Sequence, residues 1–170
     1  LWQVQQDKSK ISFNIDVSGE KVTGIFSSFS STIYFDEHDL ENSYAKIIID
    51  LESVDTGRAD RDSMVLDHAW FNTKQFPLAE FVTHKIIKHE TNSYLAESTL
   101  EIKGVKVPVN LVFTLDTSIN SEKGERQTIM RGHTVLNRID FNIGSNEWSD
   151  PGLVAHSIEV DVDLVAFSQD

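Results

Sequence analysis

Apolar and polar residues alternate with a period of two along most of this chain. Ile11, Phe13, Ile15 and Val17 fall on one face, and Ser12, Asn14 and Asp16 on the other. Val107, Val109, Leu111, Phe113 and Leu115 make a second strict row, and Ile158, Val160, Val162 and Leu164 a third. This spacing predicts strands that bury one face and wet the other. Residues 94–102 repeat it, with Tyr94, Ala96, Ser98, Leu100 and Ile102 on one side, and residues 44–51 turn Ile47, Ile49 and Leu51 inward. Residues 2–4, 22–35, 78–87 and 128–136 complete the set. Gly24 predicts a bulge or bend in the 22–35 stretch, and the serines at 27–31 suit a corner where a sheet coils. Residues 36–42 and 116–125 read as polar loops, and 137–150 as an ordered loop without periodicity.

Residues 53–81 break the alternation. Residues 58–68 predict a helix of about three turns, residues 72–75 a further short turn, and Pro77 a stop. Met64, Val65, Leu66, Trp70, Phe71 and Phe76 are many large apolar side chains for a surface segment. They predict either a plug packed as core or a lid lining an internal space.

About eight amphipathic strands joined by short loops, with no linker and no internal repeat, predict one all-β domain over residues 1–170. The helical insert spans about 57–76. One-sided patterning requires an antiparallel sheet that covers its own apolar face. A sandwich or a closed barrel does so; long strands with few connections favour the barrel, which also removes exposed edges.

Composition narrows the function. A net charge of −12 disfavours nucleic acid and anionic lipid surfaces, whose binding needs a positive field. The absence of cysteine excludes thiolate metal sites, disulfides and a cysteine nucleophile. No stretch approaches the roughly 20 apolar residues of a membrane helix, so no stable membrane insertion is expected. The six histidines form no metal-ligand spacing. Asp62, Ser63 and His68 lie too close on one helix for a catalytic triad. An enzyme acting on a hydrophobic substrate would need ionisable groups inside the barrel, such as His133 or His156. The start at Leu1 predicts a removed signal peptide or a module of something longer.

Several motifs together carry a family resemblance. They are Gly24-Ile-Phe26-Ser-Ser-Phe29 with Ile33-Tyr-Phe35-Asp36; Ser53-Val-Asp55-Thr56-Gly57, Arg61-Asp62, Trp70-Phe71-Asn72, Phe76-Pro77 and Phe81; Leu100-Glu-Ile102-Lys103-Gly104-Val105 with Pro108-Val109; and Asn137-Arg138-Ile-Asp140-Phe141 with Gly144. In this order they resemble the YceI-like family of polyisoprenoid-binding proteins nearly end to end. Three positions depart from the family pattern. Met64 stands where a histidine is common, Trp70-Phe71 where Phe-Phe is usual, and Ser31 where many members have glycine. The first two keep an apolar lining while reshaping it.

The resemblance implies an extended, eight-stranded, lipocalin-like antiparallel barrel. It implies an internal tunnel for an isoprenoid lipid, such as a ubiquinone-type quinone with ubiquinone-8 as the type ligand, or another polyprenyl compound. The role would be carrier, store or electron-transfer-associated module, not enzyme, with no metal. It further implies periplasmic or secreted location, a homodimer, and fusion to or work with redox proteins. The tunnel lining would come from Phe13, Ile15, Phe26, Phe35, Ile49, Met64, Leu66, Trp70, Phe71, Phe76, Phe81, Leu100, Val109, Leu111, Phe113 and Val160. On pattern alone these residues fill a packed core, so a filled-barrel interaction module of a larger secreted protein is the alternative. Arg61 and Asp62 either meet a head group or anchor the insert. The second role is favoured, as for Arg138 and Asp140, because arginine forks commonly clamp backbone or carboxylate groups.

Overall fold

The computed structural model describes residues 1–120 and 124–168. The strands are β1 (Trp2–Val4), β2 (Lys10–Val17), β3 (Glu20–Phe26), β4 (Phe29–Tyr34), β5 (Tyr44–Asp50), β6 (Val54–Asp55), β7 (Leu78–Glu90), β8 (Ser93–Ile102), β9 (Val105–Asn120), β10 (Glu125–Asn137) and β11 (Ser157–Ser168). Among the described residues there is one α-helix, α1 (Ala59–Leu66), between β6 and β7.

All pairings are antiparallel, in the order β1-β4-β5-β7-β8-β9-β10-β11-β2-β3-β6, and β1 also pairs with β11. β3 and β4 act as one strand folded at Ser27-Ser28. β1 and β2 follow one another along β11, through 166–168 and 159–163. The ring therefore closes as the eight-stranded barrel that the alternation predicts, and closure leaves few unpaired edges.

The fold at Ser27-Ser28 is tied from outside. The Ser28 amide donates to Ser53 Oγ at 3.1 Å, Ser53 Oγ donates to the Asp50 carbonyl at 2.6 Å, and the Asp50 amide donates to the Ser28 carbonyl at 3.0 Å. The bend thus falls at the serines. Gly24 makes no bulge: it keeps regular register opposite Phe13. Its missing side chain makes room for the Phe13 ring, which occupies the space a Cβ would take.

Two other elements differ from expectation. The 116–125 stretch is mostly strand, since β9 runs to Asn120 and β10 starts at Glu125; residues 121–123 lie outside the described ones. α1 is shorter than 58–68. Past Leu66 the chain turns back, with the Phe71 amide on the Val65 carbonyl at 3.0 Å and the Thr73 amide on the Leu66 carbonyl at 3.1 Å. Asp60 and Asp62 in its first turn suit the positive end of the helix.

β9 and β10 pair only as far as Val112 and His133, and beyond that they splay. Thr134 Oγ1 bridges the gap to the Asn110 carbonyl at 2.8 Å. A 3-10 turn, Arg138–Phe141, sits at the widening and sends Phe141, 1% exposed, into the interior. The aperiodic 137–156 segment thus caps the same barrel end as α1.

Candidate functional site

The interior is not filled. A cavity of about 200 Å³ occupies the end beneath α1. Strand residues Ile11, Phe13, Ile15, Phe26, Ile49, Leu100 and Val160 wall it; Met64, Val65, Trp70 and Phe71 close it from the insert; Phe141, Ile143, Trp148 and Val154 close it from the 137–156 segment. A second space of about 40 Å³ lies further along the barrel among Phe35, Phe81, Leu111 and Phe113. Leu100 lines the first and Phe81 the second, and the two are register partners across β7 and β8. The spaces meet at this pair.

Around the small space the barrel is packed with aromatic rings. Phe35 meets Trp2, Tyr94 and Phe113 edge-on with centroids 5.5, 5.1 and 6.0 Å apart, and Tyr94 stacks on Phe113 at 5.4 Å. Burial raises the Tyr94 phenol above its ordinary pKa, and the nearby Glu37 carboxylate adds to the shift.

The insert's seat is polar and local. The Thr56 amide and hydroxyl both donate to Asp62 Oδ1, at 2.8 and 2.6 Å, and the Gly57 amide donates to Asp55 Oδ1 at 2.8 Å. Asp62 is therefore engaged in holding α1. Arg61, half-buried, lines the cavity.

Arg138 organises the other closing segment. It is fully buried, and its five N–H donors reach five backbone carbonyls, those of Ala155, Ile143, Gly144, Trp148 and Val154. Burial pulls its pKa below the ordinary arginine value. Its guanidinium carbon lies 5.5 Å from the Trp70 ring centroid, a cation–π contact. Trp148 meets Trp70 from another side at 5.9 Å, and the Gly144 amide donates to the Ala69 carbonyl at 2.7 Å. Gly144 has φ +64°, and a Cβ there would stand 2.5 Å from Arg138 Nη1 and 2.9 Å from Trp70 Cζ3. Only glycine fits.

Of the residues expected from sequence, nine surround the larger space: Phe13, Ile15, Phe26, Ile49, Met64, Trp70, Phe71, Leu100 and Val160. Phe35, Phe81, Leu111 and Phe113 surround the smaller. Three lie elsewhere. Leu66 packs against the core, Phe76 covers Gly104, and Val109, 6% exposed, borders the surface groove between β9 and β10. Sequence reasoning missed Leu136, at the end of the 128–136 strand, and Phe141, Ile143, Trp148 and Val154; for these four the available signal was apolar residues at irregular spacing in a segment without strand pattern. His133 is on the exterior, 2.7 Å from Asp161, and His156 reaches the Ser149 carbonyl at 2.6 Å; neither lines the cavity. Among the described residues no group of acids and histidines is arranged to hold a metal, and no helix is long and apolar enough to cross a membrane.

The resemblance implies an internal tunnel lined by strands and insert; the structure has an apolar chamber at one barrel end, closed by the insert and also by the 137–156 segment. The family model described as a YceI-like domain matches residues 2–166. The chain belongs to this family. A UPF0312 protein of Photorhabdus laumondii is 32% identical over 88 residues, 52% of this chain and 45% of that protein, so the match spans less than half the relative's length. The crystal structure of Burkholderia cenocepacia BcnA is similar with a TM-score of 0.89 and 28% identity, covering 96% of this chain and 99% of that one. A domain from Saccharophagus degradans, described as polyisoprenoid binding and implicated in plant cell wall breakdown, shares the fold. Its TM-score is 0.73 at 16% identity, over 99% of this chain and 98% of that one.

Proposed function

We propose that this YceI-like domain is a non-enzymatic binding module for an isoprenoid lipid, held with its prenyl tail in the chamber beneath α1. The observation that carries the reading is the unfilled space of about 200 Å³ in an interior that would otherwise pack densely, walled almost wholly by apolar side chains. Family membership and the fold shared with a polyisoprenoid-binding domain support it. So does the position of His133 and His156 outside the lining, since a lipocalin-like enzyme would need such groups within.

Each buried CH₂ contributes about 0.8 kcal/mol, so one five-carbon prenyl unit contributes about 4 kcal/mol before the costs of immobilisation. A few polar groups at one end suffice to orient such a ligand. A ubiquinone-type quinone is the finer form of the proposal, with a carrier or store as its role. Work outside the cytoplasm and association of two copies belong to the same proposal; cell fractionation and light scattering test them.

The main test is native mass spectrometry of protein purified from a bacterial host, followed by organic extraction and re-addition of a prenyl quinone. Retention or one-to-one uptake is expected. Protein that arrives empty and takes up no prenyl lipid would overturn the reading.

A further inference from the structure

Six lining residues have polar side-chain atoms: Ser12, Thr56, Arg61, Trp70, Arg138 and Trp148, the last only half-buried. Two have no donor left to offer a ligand. The Thr56 hydroxyl is donated to Asp62, and the five Arg138 donors are used by backbone carbonyls. The Ser12 hydroxyl rotates freely and fixes no direction, and Arg61 is only half-buried. Trp70 differs from all of these. It is 7% exposed, and its indole Nε1 is buried with no hydrogen-bond partner among the described residues.

A buried donor without an acceptor has given up water and gained nothing, and such atoms are rare in folded proteins. Here the ring is held firmly. Its six-membered edge meets Gly144, and Arg138 lies over its face. The N–H belongs to the opposite, five-membered end of the indole. The cation over the face draws electron density from the ring and strengthens the N–H as a donor.

Resting on the prenyl-lipid reading above, we propose that the Trp70 indole N–H is a specificity-determining donor. It accepts into the chamber a ligand with one uncharged carbonyl oxygen next to its apolar chain, and it distinguishes that ligand from a plain hydrocarbon. A single buried donor matches a single acceptor; an anion with several acceptor oxygens would leave most of them unsatisfied.

The test compares delipidated wild type with Trp70→Phe, which keeps an aromatic ring but removes the N–H together with the second ring of the indole, so the readout is the ratio of two affinities within each protein. Calorimetry with farnesylacetone, a prenyl ketone, and with the oxygen-free hydrocarbon of the same skeleton should show wild type preferring the ketone by about three- to tenfold. Trp70→Phe should lose that preference, so that the ketone and the hydrocarbon bind with the same affinity. In ¹H–¹⁵N spectra of wild type, the Trp70 indole resonance should move downfield with the ketone and not with the hydrocarbon; this readout stands even if the variant fails to fold. An unchanged preference in Trp70→Phe, or an indole resonance indifferent to the ketone, overturns the proposal and leaves the prenyl reading in place. Failure of both probes to bind wild type overturns that reading, and this proposal with it.

Discussion

Phe13 lies across Gly24, its register partner on the neighbouring strand, in the space a Cβ would fill. The ring also forms part of the chamber wall and packs against Phe26 with centroids 5.5 Å apart. The glycine therefore sets the width of the chamber. Gly24→Ala should drive the ring inward, cost about 1–3 kcal/mol in urea unfolding, and reduce prenyl uptake. A stability change under about 0.5 kcal/mol, the range of a neutral surface substitution, would show that the ring is not held against the glycine.

Arg138→Lys tests the other closing segment. A lysine has three donors on a point charge and cannot serve five carbonyls placed around a planar fork. Several buried acceptors would be left unmatched. A loss of more than about 2 kcal/mol is expected, measured by urea unfolding. The Trp148 emission should shift to longer wavelength at lower denaturant than the barrel's far-ultraviolet signal, because the 137–156 segment loosens first.

Met64 is half-buried on α1 and faces the chamber. In Met64→Glu a carboxylate would meet an apolar lining, with a desolvation cost that a bound tail makes worse. Prenyl-lipid affinity should fall by more than about tenfold, equivalent to about 1.4 kcal/mol, with the barrel's circular dichroism preserved. Unchanged occupancy would show that α1 does not wall the ligand.

Phe81 and Leu100 stand where the larger and smaller spaces meet. Phe81→Ala should join them at a cost of about 3–5 kcal/mol in stability. The joined chamber should accept a longer tail, read as a shift of the retained lipid to higher mass in native mass spectrometry. An unshifted mass would mean that the partition lies elsewhere.

Tyr94 gives a pH signature. Its phenol is raised by burial first and by Glu37 second, so the folded pKa exceeds the unfolded one. A raised pKa means that the stabilisation is complete below the unfolded value, about 10, and is lost as pH rises through the folded value. Stability should decline above about pH 10 and the decline should flatten in Tyr94→Phe, both read by unfolding at several alkaline pH values.

The strands were legible because each has one buried face, and a period of two survives any tertiary detail. β2, β8, β9 and β11 carry it in long rows, and some of their apolar members, such as Phe13, Leu100, Phe113 and Val160, wall the two spaces. What was not legible depends on contacts between distant segments. Gly24 looked like a bend because sequence shows a missing side chain and not the Phe13 ring that uses the gap. Phe76 looked like lining because it is aromatic and follows α1, yet it is taken up by the turn at Gly104. Phe141, Ile143, Trp148 and Val154 escaped notice because a loop wound around a buried arginine has no periodicity to read.

Arg138 resembles a structural ion more than a side chain. Carbonyl oxygens converge on it from five residues between 143 and 155, as they would around a bound cation. This ion, however, is covalently attached. It cannot be drawn out by a chelator, exchanged for a competitor or diluted away, and its charge persists across the whole physiological pH range. The closed end of the barrel thus keeps the ordering power of a metal-centred loop without depending on metal supply, and the chamber behind it takes its shape from the chain's own atoms.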